Sequence, residues 1–357
     1  MKIGILTFHR ANNIGAVLQA SALQNFLEEY DDCEIIDFVP NSNVSSFRIL
    51  KKILHIAKFV ATFPFNYLMY KREKKFKDFR NKYFRLSEKT YYGDRDILTR
   101  PPEYDLLISG SDQIFNMELT GNSLAYYLNF TSDSKKVSYA SSFGRKNISE
   151  AEKKAITSEL TKFDAVSVRE RSAGMIIKEL INIEPELVVD PVFLITDCWN
   201  SRCNEKLSLP EKYIFVYSME NTDVMKNTVL GVKTKYSLPL IFVSGNNDYS
   251  VSFGSADKSC GPEEFLRYIR DAEIVVTNSF HGTAFSIIFE KEFICVAHSG
   301  RNVRLENIME MIDEKDKLIS DCGAAFSGNI VNGKIVLEKL HSYIKQSKEY
   351  ILKNKRL

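Results

Sequence analysis

Apolar positions fall into short continuous runs separated by stretches with helical spacing. Lys2 to Phe8 reads as a buried strand, and from Gly15 onward Val17, Leu18, Leu23, Phe26 and Leu27 recur on one helix face. Cys33 to Val39 is a second strand ending at Pro40, and Tyr104 to Ser109 is a further one that runs into Gly110-Ser111-Asp112-Gln113. Val137 to Ser141, Ala165 to Val168 and Glu186 to Val189 continue the series, with helical stretches at 150–161 and 170–182 between the later ones. Strands that alternate with helices specify a parallel sheet covered by helices.

After Asp190-Pro191 the pattern loosens, passes the only tryptophan, Trp199, and resumes at Tyr213 to Tyr217. A second series follows, with strands near 239–244, 273–277 and 293–296 and helices near 222–236, 262–271, 282–290 and 302–312. The chain therefore reads as α/β, with two Rossmann-like doubly wound domains at 1–204 and 205–333. A helical tail at 334–357 has the spacing to pack back on the first domain. The length, 357 residues, suits two domains better than one core.

Residues 48–85 do not fit a simple crossover. A mostly apolar stretch, Ile53 to Tyr70, precedes a basic one with Lys71, Arg72, Lys74, Lys75, Lys77, Arg80, Lys82 and Arg85, interleaved with aromatic residues. Lys58, Pro64 and Asn66 interrupt the apolar part, which falls short of the roughly 20 apolar residues a membrane span needs. The pattern predicts a helical hairpin with a solvated basic face, and offers peripheral contact with an anionic membrane or a lipid-linked substrate as the functional alternative.

A net charge of +2 and a 26% content of charged residues give no basic field for nucleic acid, so any anion site has to be local. The cysteines lack a CxxC pair and no HExxH motif occurs, so no metal site is expected. The first apolar run reaches His9-Arg10-Ala11-Asn12 too soon for a signal peptide, which predicts a cytoplasmic protein.

In open parallel sheets ligands sit beyond the carboxyl ends of the strands. The most informative such place is Asn278-Ser279-Phe280-His281-Gly282-Thr283, where a strand feeds a turn and then an apolar helix. Free backbone N–H groups at the helix start, with the Ser279 and Thr283 hydroxyls, suit a phosphate or carboxylate, and His281 stands at the lip. A bound dianion favours imidazolium, so His281 is read as an acid that loads when its ligand arrives. A second strand end carries Arg169, whose guanidinium could fork onto an anion or pair with a neighbouring carboxylate. A third carries Gly110, Ser111, Asp112 and Gln113, suited to sugar hydroxyls or to helix capping. The loop His9 to Gly15 is polar but lacks a dinucleotide or P-loop fingerprint.

Together these segments resemble the polysaccharide pyruvyl transferase family: Asn13-Ile14-Gly15-Ala16, Ser109-Gly110-Ser111-Asp112-Gln113, Ser138 to Gly144, Val168-Arg169-Glu170, Asp190-Pro191 and Asn278-Ser279-Phe280-His281-Gly282, in that order. The resemblance implies a glycosyltransferase-B-like pair of domains facing a cleft. It also implies transfer of a pyruvyl group from phosphoenolpyruvate to two hydroxyls of one sugar, as a ketal, with no cofactor. His281 then matches the family's proton donor or shuttle and Arg169 an arginine that holds the donor. Asn278, Ser279, Gly282 and Thr283 would lie on the donor side, and Asn13, Gly15, Gly110, Ser111, Asp112 and Gln113 on the acceptor side. Family members commonly carry an arginine two residues before the histidine, where this chain has Ser279; Arg301 and Arg304 are the candidates to supply that charge. The base could be Asp112, His9 or the substrate phosphate. Two rival readings share the architecture: a nucleotide-sugar glycosyltransferase, with Glu263 or Glu264 gripping a ribose, and a non-catalytic glycan-assembly binding protein.

Overall fold

A computed structural model describes residues 1–40, 63–131, 133–250, 253–300, 302–321 and 328–356. The first half contains β1 (Lys2–Leu6), α1 (Ile14–Glu28), β2 (Asp32–Val39), α2 (Phe63–Tyr83), β3 (Leu86–Tyr92), α3 (Gly93–Thr99), β4 (Leu106–Ser109), α4 (Met117–Thr120), β5 (Lys135–Ser138), α5 (Glu150–Leu160), β6 (Ser167–Val168), α6 (Arg171–Ile181) and β7 (Glu186–Leu187). The second half contains β8 (Ile214–Ser218), α7 (Asp223–Tyr236), β9 (Leu240–Ser244), β10 (Ser255–Ala256), α8 (Pro262–Arg270), β11 (Ile274–Thr277), α9 (Phe280–Ile288), β12 (Glu292–Cys295), α10 (Val303–Met311), β13 (Val331–Asn332) and α11 (Gly333–Arg356).

The first sheet runs β3-β2-β1-β4-β5 and is parallel throughout, with Ile5 paired to Ile35 on one side and Ile108 on the other. The second runs β10-β9-β8-β11-β12-β13, parallel except for the short β13. β4, β8 and β11 are buried along their whole length, which is why their sequences are continuous apolar runs rather than alternations. Strand order reverses direction between β1 and β4 in one sheet and between β8 and β11 in the other. Those are the places where open sheets leave a crevice.

One strand escapes the sequence pattern. β3, Leu86-Ser-Glu-Lys-Thr-Tyr-Tyr, is an edge strand with a polar, partly exposed alternation that carries little apolar signal. Its presence corrects the expectation for residues 48–85: α2 is the crossover between parallel β2 and β3, and residues 48–62 of the expected hairpin lie outside the described residues. Arg72, Phe76 and Phe79 are buried on one face of α2, while Lys71, Lys74, Lys77 and Lys82 face solvent. Among the described residues no helix is long and apolar enough to cross a membrane.

Several features join the halves. From α2, Lys75 pairs with Glu264 at 3.1 Å, and both Lys82 and the Tyr83 hydroxyl reach Glu263, at 2.8 and 3.0 Å. Trp199 is fully buried between the halves, donating to the Val192 carbonyl at 2.8 Å and meeting the Phe285 ring edge-on at 5.0 Å. Finally, α11 returns to the first sheet, where the Ser347 hydroxyl accepts from Val189 N–H at 2.9 Å and the Tyr350 hydroxyl donates to the Ser138 carbonyl at 3.0 Å. This framework sets the two crevices opposite each other.

Candidate functional site

The crevices open into one cavity of about 720 Å³. Its first-domain wall comes from the loop after β1 and the loop after β4, and includes Phe8, His9, Arg10, Asn13, Gly15, Asp112 and Gln113. Phe8 and Phe38 meet the Tyr126 ring edge-on at 5.3 and 5.6 Å, which gives this side an aromatic floor. The second-domain wall includes Tyr217, Glu220, Ser279, His281, His298 and Arg304.

Two helix starts converge here. Asn13 caps α1, its side chain accepting from Ala16 N–H at 3.1 Å. Ser279 caps α9, accepting from Gly282 N–H at 3.4 Å. The earliest amides of each helix have no carbonyl one turn behind them, so both starts favour negative charge. They approach so closely that a β-carbon on Gly15 would lie 2.0 Å from His281 Nδ1. Glycine is required at this contact because the imidazole occupies the place of a side chain.

His281 is buried, and its Nε2 has no hydrogen-bond partner; the nearest anion is Asp190, with Oδ2 3.7 Å away. Burial lowers its pKa to about 4, offset in part by Asp190 and reinforced by Arg169. The imidazole is therefore neutral near pH 7.

Behind it lies a dense ionic cluster. Arg169 bonds Asp190 through Nη1, reaches Asp112 Oδ1 from Nη2 at 3.4 Å, and lies 4.7 Å from the Phe280 ring centre. Arg304 reaches the same Asp112 oxygen at 3.3 Å. Burial pushes Asp112 up, but the Arg169 and Arg304 guanidiniums outweigh it and hold the carboxyl below its ordinary value. Asp112 also has a φ of 76°, a left-handed conformation unfavourable for a residue with a β-carbon.

His9 has a different environment. Nδ1 lies 3.1 Å from the Thr7 carbonyl and Nε2 2.9 Å from Asp37 Oδ1, so both ring nitrogens face acceptors. Neither is free to take a proton from a substrate.

The structure sorts the residues expected from sequence. Asn13, Gly15, Asp112, Gln113, Ser279, His281 and Arg304 line the cavity. Asn278 also lines it, but its side chain ties two strand ends together, accepting from Met219 N–H at 2.6 Å and donating to the Glu220 carbonyl at 2.7 Å. Gly110 packs on Thr7, and Ser111 is buried with its hydroxyl 3.5 Å from Asp190. Gly282 packs on Thr277, and the Thr283 hydroxyl turns away to donate to the Ser279 carbonyl at 3.1 Å. Arg169 is buried behind Phe280 rather than set on the main wall, because two carboxylates already engage it. Arg301 lies outside the described residues. Glu263 and Glu264 are taken up by α2, away from the cavity.

Sequence reasoning passed over Phe38, Tyr126 and Glu220, and saw Asp190 only as part of a motif. Glu220 stands just beyond β8, so the rule that finds His281 would have found it too; the ring positions of Phe38 and Tyr126 have no such signal.

The polysaccharide pyruvyl transferase family model matches residues 13–300, a span that holds Asn13, Gly15, Asp112, Gln113, Ser279 and His281 of this cavity, while His9 and Arg304 lie outside it. The chain belongs to the polysaccharide pyruvyl transferase family. No curated protein matches it. Among solved structures, this pyruvyl transferase family member is similar to UDP-GlcNAc 2-epimerase from Methanocaldococcus jannaschii in complex with UDP-GlcNAc and UDP, at 15% identity and a TM-score of 0.53, with 99% of each chain covered. It is also similar to UDP-GlcNAc 2-epimerase from Neisseria meningitidis bound to UDP-GlcNAc, at 10% identity and a TM-score of 0.53, again with 99% of each covered. A putative UDP-N-acetylglucosamine 2-epimerase from Listeria monocytogenes gives 9% identity and a TM-score of 0.53 over 98% of this chain and 89% of that one. At these identities the likeness is one of fold, and the fold is glycosyltransferase-B-like.

Proposed function

We propose that this transferase moves a pyruvyl group from phosphoenolpyruvate to two hydroxyls of one sugar in a polysaccharide or a lipid-linked glycan precursor, forming a ketal and releasing phosphate. The observation that carries the reading is His281: a buried, neutral imidazole whose Nδ1 lies against Gly15, where two helix starts meet inside the cavity of a pyruvyl transferase family member.

The chemistry asks for a proton at C3 of the donor, a nucleophilic hydroxyl at C2, and stabilisation of an anion that carries carboxylate and phosphate. His281 is the proton carrier to C3, delivering a proton that the neutral imidazole must first take up. Arg304 and the amides at the starts of α1 and α9 supply the positive field, and Arg304 takes the part of the arginine that Ser279 replaces. Arg169 acts from behind, holding Asp190 and Asp112 in place. The aromatic floor of Phe8, Phe38 and Tyr126 gives an acceptor sugar an apolar face to lie on. The solvated basic face of α2 suits an acceptor presented at an anionic membrane surface from the cytoplasmic side.

Phosphate release from phosphoenolpyruvate in the presence of nitrophenyl or lipid-linked sugars tests the reading. The native chain should release phosphate only when an acceptor is present, and His281→Ala should release none above background. Failure of the native chain to bind phosphoenolpyruvate would overturn the reading in favour of a binding protein, and consumption of a nucleotide sugar would favour a glycosyltransferase.

A further inference from the structure

The ring nitrogens of His281 have unlike surroundings, and the difference assigns them roles. Nε2 faces the carboxylate of Asp190 across 3.7 Å, and Nδ1 lies against the bare Cα of Gly15 at the start of α1. Asp190 itself is held from several sides: it is fully buried, Oδ1 accepts from Val192 N–H at 3.1 Å, and Oδ2 takes Arg169 Nη1 with the Ser111 hydroxyl at 3.5 Å. A carboxylate fixed in this way cannot turn toward substrate, but a shift of under an ångström by the imidazole would bring Nε2 into hydrogen-bond range.

We propose that Asp190 is the positioning residue of His281, binding Nε2–H so that Nδ1, in the space Gly15 leaves, both receives the acceptor hydroxyl's proton and delivers it to the donor. This rests on the phosphoenolpyruvate reading and removes the need for a separate base. One acceptor hydroxyl oxygen bonds to C2 while its proton passes through Nδ1 to C3, which becomes a methyl group. The C2–O bond to phosphate then breaks, the second hydroxyl bonds to C2, and its proton leaves with the phosphate. Atoms and charge balance with no added oxidant, metal or co-reactant.

The arrangement also explains why other candidates for the base are unsuited. His9 has an acceptor at each nitrogen, and Asp112 shares one oxygen between Arg169 and Arg304. The charged groups that bear on His281 are Asp190, Arg169, Asp112 and Arg304, contributed by the segments after β7, β6 and β4 and by α10. Of these, Asp190 is the anion that its Nε2 faces. The transient imidazolium therefore has its counter-charge on the side away from substrate, an orientation that fixes the tautomer as well as the ring.

Two measurements decide the proposal. The first uses the native chain without ligand: nitrogen-15 NMR of the five histidines, with His281→Gln to assign the signal. A neutral His281 protonated on Nε2 is expected, and the Nδ1–H tautomer would overturn the proposal whatever the substrate proves to be. The second compares steady-state phosphate release from phosphoenolpyruvate with the acceptor that the native chain uses. Asp190→Asn should lower kcat by at least about tenfold with KM for phosphoenolpyruvate changed by less than about threefold, and Asp190→Glu should recover part of the loss. Unchanged kcat in folded Asp190→Asn, or a rise in KM alone, would overturn the positioning role. Gly15→Ala gives an independent arm in a helix where alanine is the better former, and a folded variant with native kcat would refute the assignment of Nδ1. If no sugar or lipid-linked acceptor supports phosphate release by the native chain, the phosphoenolpyruvate reading fails on its own, while the tautomer measurement still reports on Asp190.

Discussion

His9 and His281 are both buried at the same cavity, one in the loop after β1 and the other at the start of α9. His9 meets a carbonyl and a carboxylate, and it belongs to a closed cluster in which Asp37 also takes Arg10 in two contacts and the Thr90 hydroxyl at 2.6 Å. Burial raises the proton affinity of Asp37, but the hydrogen bonds from His9, Arg10 and Thr90 more than offset it and hold the carboxyl well below the ordinary range. His281 has one carboxylate just out of bonding range and a glycine against its other nitrogen. The contrast teaches that burial alone does not make a histidine a proton carrier. What matters is whether a nitrogen is left without a partner, and His9 has none to spare.

The largest expected effect separates the two residues in catalysis. His281→Gln should reduce phosphate release by at least about a hundredfold, and His9→Gln should leave it within about threefold. Equal losses in a direct turnover assay would break the comparison.

Next comes stability against pH. The folded chain excludes a proton from His281 until about pH 4, whereas the unfolded chain accepts one near pH 6.5. Below pH 6.5 the unfolded state therefore binds more protons, so stability falls as pH drops from 6.5 toward 4, by up to about 3 kcal/mol from this residue, and is unaffected by it above that window. Denaturant unfolding of the native chain and His281→Gln across this range should differ by that slope.

His9→Gln should instead cost about 2 kcal/mol at neutral pH, since it removes a charged bond from a buried carboxylate. A thermal melt measures it. Arg304→Ala sharpens the donor side: KM for phosphoenolpyruvate should rise about tenfold, worth about 1.4 kcal/mol. The smallest effect belongs to the exposed pairing of α2 with α8, where Glu263→Gln should change unfolding free energy by less than about 1 kcal/mol.

Much of the architecture was legible in the sequence because strands buried on both faces leave apolar runs that side chains cannot disguise. β1, β4, β8 and β11 were visible in this way, and the residues just beyond them are the cavity walls. β3 was not, since an edge strand can be polar without cost and its register comes from β2. Missing it made α2 look like an insertion rather than a crossover. His281 was legible for the same reason as the strands: a turn of small and polar residues after a buried strand, leading into an apolar helix, has few other uses. Thr283 and Arg169 show the limit of that rule, because position after a strand does not tell which way a side chain turns or what already binds it.

By itself, then, the sequence determined the alternation of strands and helices, the two series that build the two sheets, and the strand ends where chemistry could be placed. All of these depend on local periodicity and on residue type. Only the tertiary structure decided that Gly15 and His281 touch, that Asp190 faces Nε2, and that Arg304 reaches the cavity while Arg169 is shut behind Phe280. These contacts join residues that are far apart in the chain, and their energies depend on distance and burial, quantities that exist only once the two domains are packed together.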